Sequence, residues 1–350
     1  MSTFAPLTEA RTLSVMPTYK CTAECEHCGT LSHRREKTWL GLDNMLSAIE
    51  QAAQGDYKVV VFTGGEPTLA GTDLLTAISR AHELGLSTRV VSNAYWAATD
   101  VLADRMIAKL VGAGLHEINF STGDQHARFV PLDRVVRAVR AAADSPLSAI
   151  VVMVETVRER TITAALIEER EDFRAIRRAH PGKHIELLES PWMPLEPMNI
   201  STYRSGSTVN RSNVATRTGC TSILSTTAIQ ADGRIGACCG LGMRTTPELQ
   251  VGTIAETALA DADRAAADDV LKHWIRVEGP ERILAWAAEH DPSIRWEDMY
   301  AHRCQACMRL YKDPAVRAVI AEHYREKLAD IVVGEWLLYD FPREPDATPV

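Results

Sequence analysis

The sequence predicts an α/β fold: an open, partial (β/α)6 barrel followed by a smaller C-terminal module of one short hairpin and several helices. Three observations carry this. Short β-branched runs alternate with amphipathic helical patterns through the first half of the 350 residues. The alternation stops after Glu189, where Ser, Thr, Asn and Pro take over. Beyond that stretch Asp232-Gly233 separates two short apolar runs, a hairpin signal, and helical periodicity then resumes.

The predicted strands are "TLSVM" (12–16), "KVVVF" (58–62), "STRVVS" (87–92), "HEINFS" (116–121), "SAIVVMVE" (148–155) and "HIELLE" (184–189). Helical patterns fall between them near 43–54, 73–84, 99–113, 132–143 and 163–179. Consecutive βα units imply a mainly parallel sheet. Six units are too few to close an eight-fold barrel, and residues that do chemistry should gather at the C-terminal ends of the strands. The expected division is a barrel over 12–190, a linker over 191–219, a second module over 220–330 and a tail over 331–350. The last stretch of that tail, "DFPREPDATPV", reads as frayed.

Composition is that of an ordinary globular protein, with 46% hydrophobic and 24% charged residues. A net charge of −8 excludes a broad basic face for nucleic acid. No apolar run approaches the roughly 18 residues needed to cross a bilayer, and the first twenty residues lack a signal-peptide layout. The expected setting is therefore the cytoplasm, where clustered thiols point to metal or redox chemistry.

The thiols are clustered. Cys21, Cys25 and Cys28 fall within "CTAECEHCG", directly after the first strand. Three thiolates on one loop can hold three corners of a [4Fe–4S] cube and leave one iron open. Zinc, completed by His27 or His33, is the other reading of the cysteines taken alone. A second motif stands at the end of the second strand: Gly64-Gly65-Glu66-Pro67 in "VVVFTGGEPTL". Alone it is only a turn. Physically, two glycines let the backbone approach closely, and Glu66 offers an acceptor for an ammonium.

The x3–x2 cysteine spacing with an aromatic His27 before the last cysteine, together with Gly-Gly-Glu-Pro, resembles the radical S-adenosylmethionine (SAM) enzymes over about residues 12–190. The resemblance implies that Cys21, Cys25 and Cys28 ligate a [4Fe–4S] cluster and that Gly64, Gly65, Glu66 and Pro67 receive the methionine amino group of SAM. His27 belongs to the same set. It further implies a SAM pocket lined by Ser92 and Asn93 from "VVSNA" and by Ser121 and Asp124 from "NFSTGDQH". The fifth strand, "VVMVETVRER", departs from the family's G-x-I-x-G-x-x-E pattern, and Glu155 is the residue named there.

The remaining cysteines extend the resemblance. Cys220, Gly233 and Cys238, then Cys304-x2-Cys307, look like the auxiliary-cluster modules called SPASM and twitch, with four cysteines matching the shorter twitch form. They imply a second [4Fe–4S] cluster; a structural zinc on the same thiolates is the rival. Cys239 is left over. Adjacent strand residues face opposite ways, so Cys238 and Cys239 are not expected to share one cluster. Cys239 is then either a small buried residue or a hydrogen-atom donor to a substrate radical.

The resemblance implies reductive cleavage of SAM to a 5′-deoxyadenosyl radical, fed by a flavodoxin- or ferredoxin-type electron donor. That radical abstracts hydrogen from an unactivated C–H of the substrate. The leading expectation is a ribosomal-peptide maturase making a cross-link, an oxidation or an epimerisation. A dehydrogenase or epimerase of an aminocyclitol- or aminoglycoside-like small molecule is the alternative. With ligation beginning at residue 21, a peptide substrate is expected to need a separate leader-binding protein or the C-terminal region. Trp274, Trp286 and Trp296 are either substrate contacts or core. From another class, a non-catalytic zinc scaffold would keep the cysteines but has no need of Gly-Gly-Glu-Pro.

Overall fold

The computed structural model describes residues 11–157, 161–200, 203–204 and 206–340. Six strands, β1 (Thr12–Val15), β2 (Val59–Phe62), β3 (Ser87–Ser92), β4 (Glu117–Gly123), β5 (Ala149–Thr156) and β6 (His184–Pro191), pair in parallel and in chain order. Their connections are α1 (Leu42–Gln54), α2 (Thr72–Glu83), α3 (Asp100–Gly112), the one-turn α4 (Asp124–Ala127), α5 (Leu132–Ala143), α6 (Ala164–Glu169) and α7 (Glu171–Ala179). The single helix expected over 163–179 is two, because Arg170 adopts an extended conformation between them. Its guanidinium binds Asp133 and Asp172.

β2 has no polar alternation because both its faces are covered, as parallel strands require. α5 turns Val135, Val139 and Ala142 inward, three and four residues apart, onto the sheet. The barrel core therefore forms from strand residues such as Leu13, Val60, Val90 and Ile118 and from the inner stripes of the helices.

The second half is fused to the first through the sheet. β7 (Thr226–Ile229) pairs in parallel with β1, Thr12 opposite Thr226 and Val15 opposite Ile229. The expected hairpin turn at Asp232-Gly233 leads to β8 (Arg234–Gly236), with Gly233 at φ 83°. β9 (Gln250–Thr253), not expected, adds antiparallel to β8. One nine-stranded sheet results, in the order β6-β5-β4-β3-β2-β1-β7-β8-β9. The open edge of β1 is thereby paired rather than left to expose its backbone groups.

Six helices follow: α8 (Leu259–Ala267), α9 (Val270–Val277), α10 (Pro280–His290), α11 (Arg303–Lys312), α12 (Pro314–His323) and α13 (Leu328–Glu335). Proline opens α10 and α12, and Asp269 and Asp313 cap α9 and α12. Trp274, Trp286 and Trp296 are all buried in a second core, and Trp274 meets Trp286 edge-on at 4.7 Å. They are packing residues. Helical structure runs on to Asp340, where the expected frayed tail begins; residues 341–350 lie outside the described ones. Among the described residues, no helix is long and apolar enough to cross a membrane.

α9 is joined to α13 by His273. One ring nitrogen lies 2.8 Å from Glu335 Oε1 and the other 2.8 Å from the Ala267 carbonyl. Two acceptors favour the imidazolium, and the Glu335 hydrogen bond raises its pKa above 6.5. The charged pair thus stabilises the fold below that value and fades as pH rises through the raised pKa. His273→Gln should cost about 0.5–1 kcal/mol at acidic pH and less at pH 8. Paired melting curves of the two proteins at pH 6 and pH 8 check this.

Candidate functional site

The first cysteine loop leaves the C-terminal end of β1 and is laced onto the end of β2. Gly65 N donates to Thr18 O (2.9 Å), and Glu66 N donates to Lys20 O (2.8 Å). A Cβ on Gly65 would stand 2.2 Å from Lys20 O, and one on Gly64, at φ 107°, 2.8 Å from Thr18 O. Only glycine permits this approach. Thr30, two residues past Cys28, donates to Gly64 O at 3.2 Å and closes the loop over the turn.

Glu66 is wholly buried and draws the end of β3 to the end of β2. Its carboxylate accepts from Thr68 Oγ1 (2.6 Å), Ser92 Oγ (3.0 Å) and the Asn93 amide (2.8 Å). Burial pushes its pKa up while these donors oppose that shift. Pro67, also buried, starts the short helical turn that Glu66 caps. Asn93 Nδ2 reaches back to Thr22 Oγ1 (3.0 Å) and Cys21 Sγ (3.5 Å).

The sulfurs collect N–H donors. Ala23 N points at Cys21 Sγ and Ser32 N at Cys28 Sγ, both at 3.4 Å. Such contacts suit thiolate ligands. Burial nevertheless pushes Cys21 up to about 12 and Cys25 well up also. Burial alone thus favours the neutral thiols, and a bound cation would hold them as thiolates. His27, at φ 57°, and Leu31, at φ 53°, are left-handed non-glycine residues in the same loop, a strain that clusters at functional sites.

The other predicted residues divide. Glu155, buried at the end of β5, lies close enough to Cys25 to affect its titration. Its oxygens accept from the Gln125 and His126 amides and bond the His126 ring. Asp124 turns away and binds Thr161 and the Ile162 amide. Ser121 is half-buried within β4, opposite Met153.

Cys220, Cys238, Cys304 and Cys307 line one cavity of about 400 Å³. Gly240 marks how close they come: a Cβ there would lie 3.3 Å from Cys304 Sγ and 3.5 Å from Cys238 Sγ. Arg303 donates to Gly219 O (2.8 Å), tying the Cys220 segment to the start of α11. His302 caps that helix through the Cys304 amide, and burial lowers its pKa to about 4. Burial raises Cys304 to about 12 and Cys307 well above its ordinary value. Among the described residues no three His, Cys, Asp or Glu side chains converge as a single-ion site.

Cys239 is exposed, with its thiol among Cys220, Ser222 and Thr226. Thr226 opens β7 opposite Thr12, whereas the first cysteine loop follows the other end of β1.

Several site residues carry no motif. Trp192 Nε1 donates to Glu26 O between two of the cysteines at 2.6 Å, and its ring meets His126 edge-on at 5.8 Å. Thr22, Thr30 and Arg244 likewise touch the loop. Their one sequence signal is position: Thr22 and Thr30 flank the cysteines, and Trp192 follows β6. A cavity of about 1150 Å³ lies by Arg11, Tyr57 and Asp263, and no cysteine lines it.

Residues 15–180 match the family model described as "Radical SAM superfamily". No curated protein matches the chain significantly. The chain is similar to the solved structure "Native anSMEcpe with bound AdoMet", at 12% identity and a TM-score of 0.53, over 93% of this chain and 99% of that one. A second structure of that protein, with AdoMet and Cp18Cys peptide, aligns at 11% identity and 0.52, with the same coverage. Streptococcus suis SuiB bound to precursor peptide SuiA gives 14% identity and 0.46, over 77% of this chain and 67% of that one. At these identities the structural likeness is one of fold. With a family model matching residues 15–180 and the cysteine loop seated on the Gly-Gly-Glu-Pro turn, the chain contains a radical SAM domain.

Proposed function

We propose that this protein is a twitch-type radical SAM enzyme with one auxiliary iron–sulfur centre, acting on a peptide. The observation that carries the reading is the convergence, at the C-terminal ends of β1, β2 and β3, of the Cys21–Cys28 loop, the Gly64–Pro67 turn and Asn93. Cys21, Cys25 and Cys28 would hold a [4Fe–4S] cluster, whose chemistry is the one-electron reduction that cleaves SAM to methionine and a 5′-deoxyadenosyl radical.

The chain's own residues prepare that site. Gly64 and Gly65 bring backbone against the cysteine loop, leaving its carbonyls and amides at fixed positions. Glu66 locks Ser92 and Asn93 beside the cysteines, and Asn93 Nδ2 offers Cys21 an N–H. His27, Ser121 and Glu155 border this region, Glu155 by orienting His126 and the start of α4. Asp124 serves to hold the 161–162 segment.

Cys220, Cys238, Cys304 and Cys307 are assigned to the auxiliary [4Fe–4S] cluster, since all four line one cavity wide enough for more than a single ion. The proposed division remains at 190 and 220, although the barrel core also takes Ile229, Ile235, Ile254, Leu259 and Ala262 and the second core takes Met16 and Tyr19. A peptide substrate is favoured by the anSMEcpe structure bound to the Cp18Cys peptide, aligned along most of this chain. With Cys239 away from the first loop, oxidation of the substrate is favoured over return of a hydrogen by that thiol. A flavodoxin- or ferredoxin-type protein is the proposed electron donor, and the cytoplasm the proposed location.

Anaerobically purified protein should carry about eight irons and as many sulfides, falling to about four in a Cys21/Cys25/Cys28→Ala variant. Reduced with dithionite, the wild type should convert SAM to 5′-deoxyadenosine, and the variant should fall to background. Zinc in the second site would remove the auxiliary cluster from the proposal; retention of all iron by the variant would overturn the first assignment. Gly65→Ala should destabilise the fold by about 1–3 kcal/mol. Gly182→Ala, with no atom within 4 Å of the added Cβ, should change the urea midpoint little.

A further inference from the structure

The segment between Cys238 and α11 reaches across to the other cysteine loop. Arg244 Nη1 donates to Thr30 O (2.9 Å) and Leu31 O (3.3 Å), directly after Cys28. Its guanidinium stacks on the buried Tyr19 ring at 3.6 Å, and Nη2 lies 3.7 Å from Glu36. Gly242 N donates to Gly29 O at 3.3 Å. The Leu241 side chain fills the space beside Gly29, where a Cβ would stand 2.3 Å from Leu241 Cδ2. Gly240 meanwhile lies against the second thiol set, where a Cβ would stand 3.3 Å from Cys304 Sγ and 3.5 Å from Cys238 Sγ. Gly242 is pinned from the other side, since a Cβ there would lie 2.2 Å from Met308 Sδ on α11.

One five-residue strap, residues 240–244, therefore touches both thiol clusters. Leu31 holds φ 53°, a conformation an unrestrained leucine avoids, and Arg244 binds its carbonyl. A planar guanidinium suits this task because its fork reaches two adjacent carbonyls while its face rests on an aromatic ring. Lysine provides one point charge and no planar face.

We infer that Arg244 is a positioning residue for the first cysteine loop, fixing the Cys28–Ser32 turn from the strap that also lies against Cys238 and Cys304. The two thiol clusters are thus mechanically joined, and loosening the strap loosens Cys28. The inference deepens the proposed reading of both sites, but its central contacts hold whether or not iron is bound.

The test is amide hydrogen exchange on the full chain, with iron and after its removal, in wild type, Arg244→Ala and Arg244→Lys. Peptides covering residues 28–33 should exchange at least tenfold faster in Arg244→Ala, with Arg244→Lys intermediate and β3 unchanged. In the iron-loaded protein, a chelator should extract the irons absent from the Cys21/Cys25/Cys28→Ala variant about tenfold faster from Arg244→Ala. The change that SAM induces in the reduced-cluster EPR spectrum should broaden or shift. Wild-type exchange over 28–33 in both variants would overturn the inference. Should Arg244→Ala unfold throughout, Arg244→Lys decides alone: faster exchange confined to 28–33 supports the role, and wild-type exchange overturns it. If the cysteine variant keeps all its iron, the assignment of the first cluster fails, and exchange in the iron-free chain still decides the role of Arg244.

Discussion

β1 is four residues long and paired on both edges, and the rest of the molecule depends on that. Val59–Phe62 lie along one side and Thr226–Ile229 along the other, each in parallel register. The strand contributes Leu13 and Val15 to the barrel core, and Met16 and Tyr19 just beyond it enter the second core. The loop that leaves β1 therefore starts from a point that both halves hold. A loop meant to present three thiolates at fixed spacing gains from such an origin, because ligand geometry tolerates only fractions of an ångström of error.

From that origin the site is assembled by backbone and buried polar groups rather than by surface charge. Gly64 and Gly65 let β2 come within hydrogen-bonding distance of the loop. Glu66 then converts that contact into a three-strand arrangement by accepting from Ser92 and the Asn93 amide. A buried carboxylate is costly unless it is well supplied with donors, and this one has four. Its rigidity is the useful result: Asn93 cannot leave Cys21 without breaking the Glu66 network.

The second half contributes packing as well as thiols. Trp274, Trp286 and Trp296 lie in a region whose acidic, helical sequence reads equally well as a substrate surface, and the structure buries all three. The distinction is invisible in sequence because each tryptophan supplies the same large apolar area to a partner or to a core. Only the crossing of α9, α10 and the segment before α11 places them inward. Cys239 illustrates the same limit. It was expected to alternate with Cys238 along a strand, yet both follow β8, which ends at Gly236, and where Cys239 sits depended on β7 pairing with β1.

The order of strands, the parallel sheet and the two cysteine sets were legible in the chain itself. Period-two and period-3.6 patterns, turn glycines and the spacing of thiols are local properties, set by backbone geometry over a few residues. Gly-Gly-Glu-Pro next to a cysteine loop was legible for the same reason. What tertiary structure alone decided were contacts between residues far apart in sequence. Trp192 on the Glu26 carbonyl, Glu155 on His126, Arg244 on Thr30 and Leu31, and β7 against β1 span from about thirty to over two hundred positions. None has a local pattern, since each partner need only present a suitable donor, acceptor or edge once the chain has closed on itself. The sequence by itself determined where the two thiol sets and the Gly-Gly-Glu-Pro turn stand along the chain; their arrangement around a shared first strand was decided by the fold.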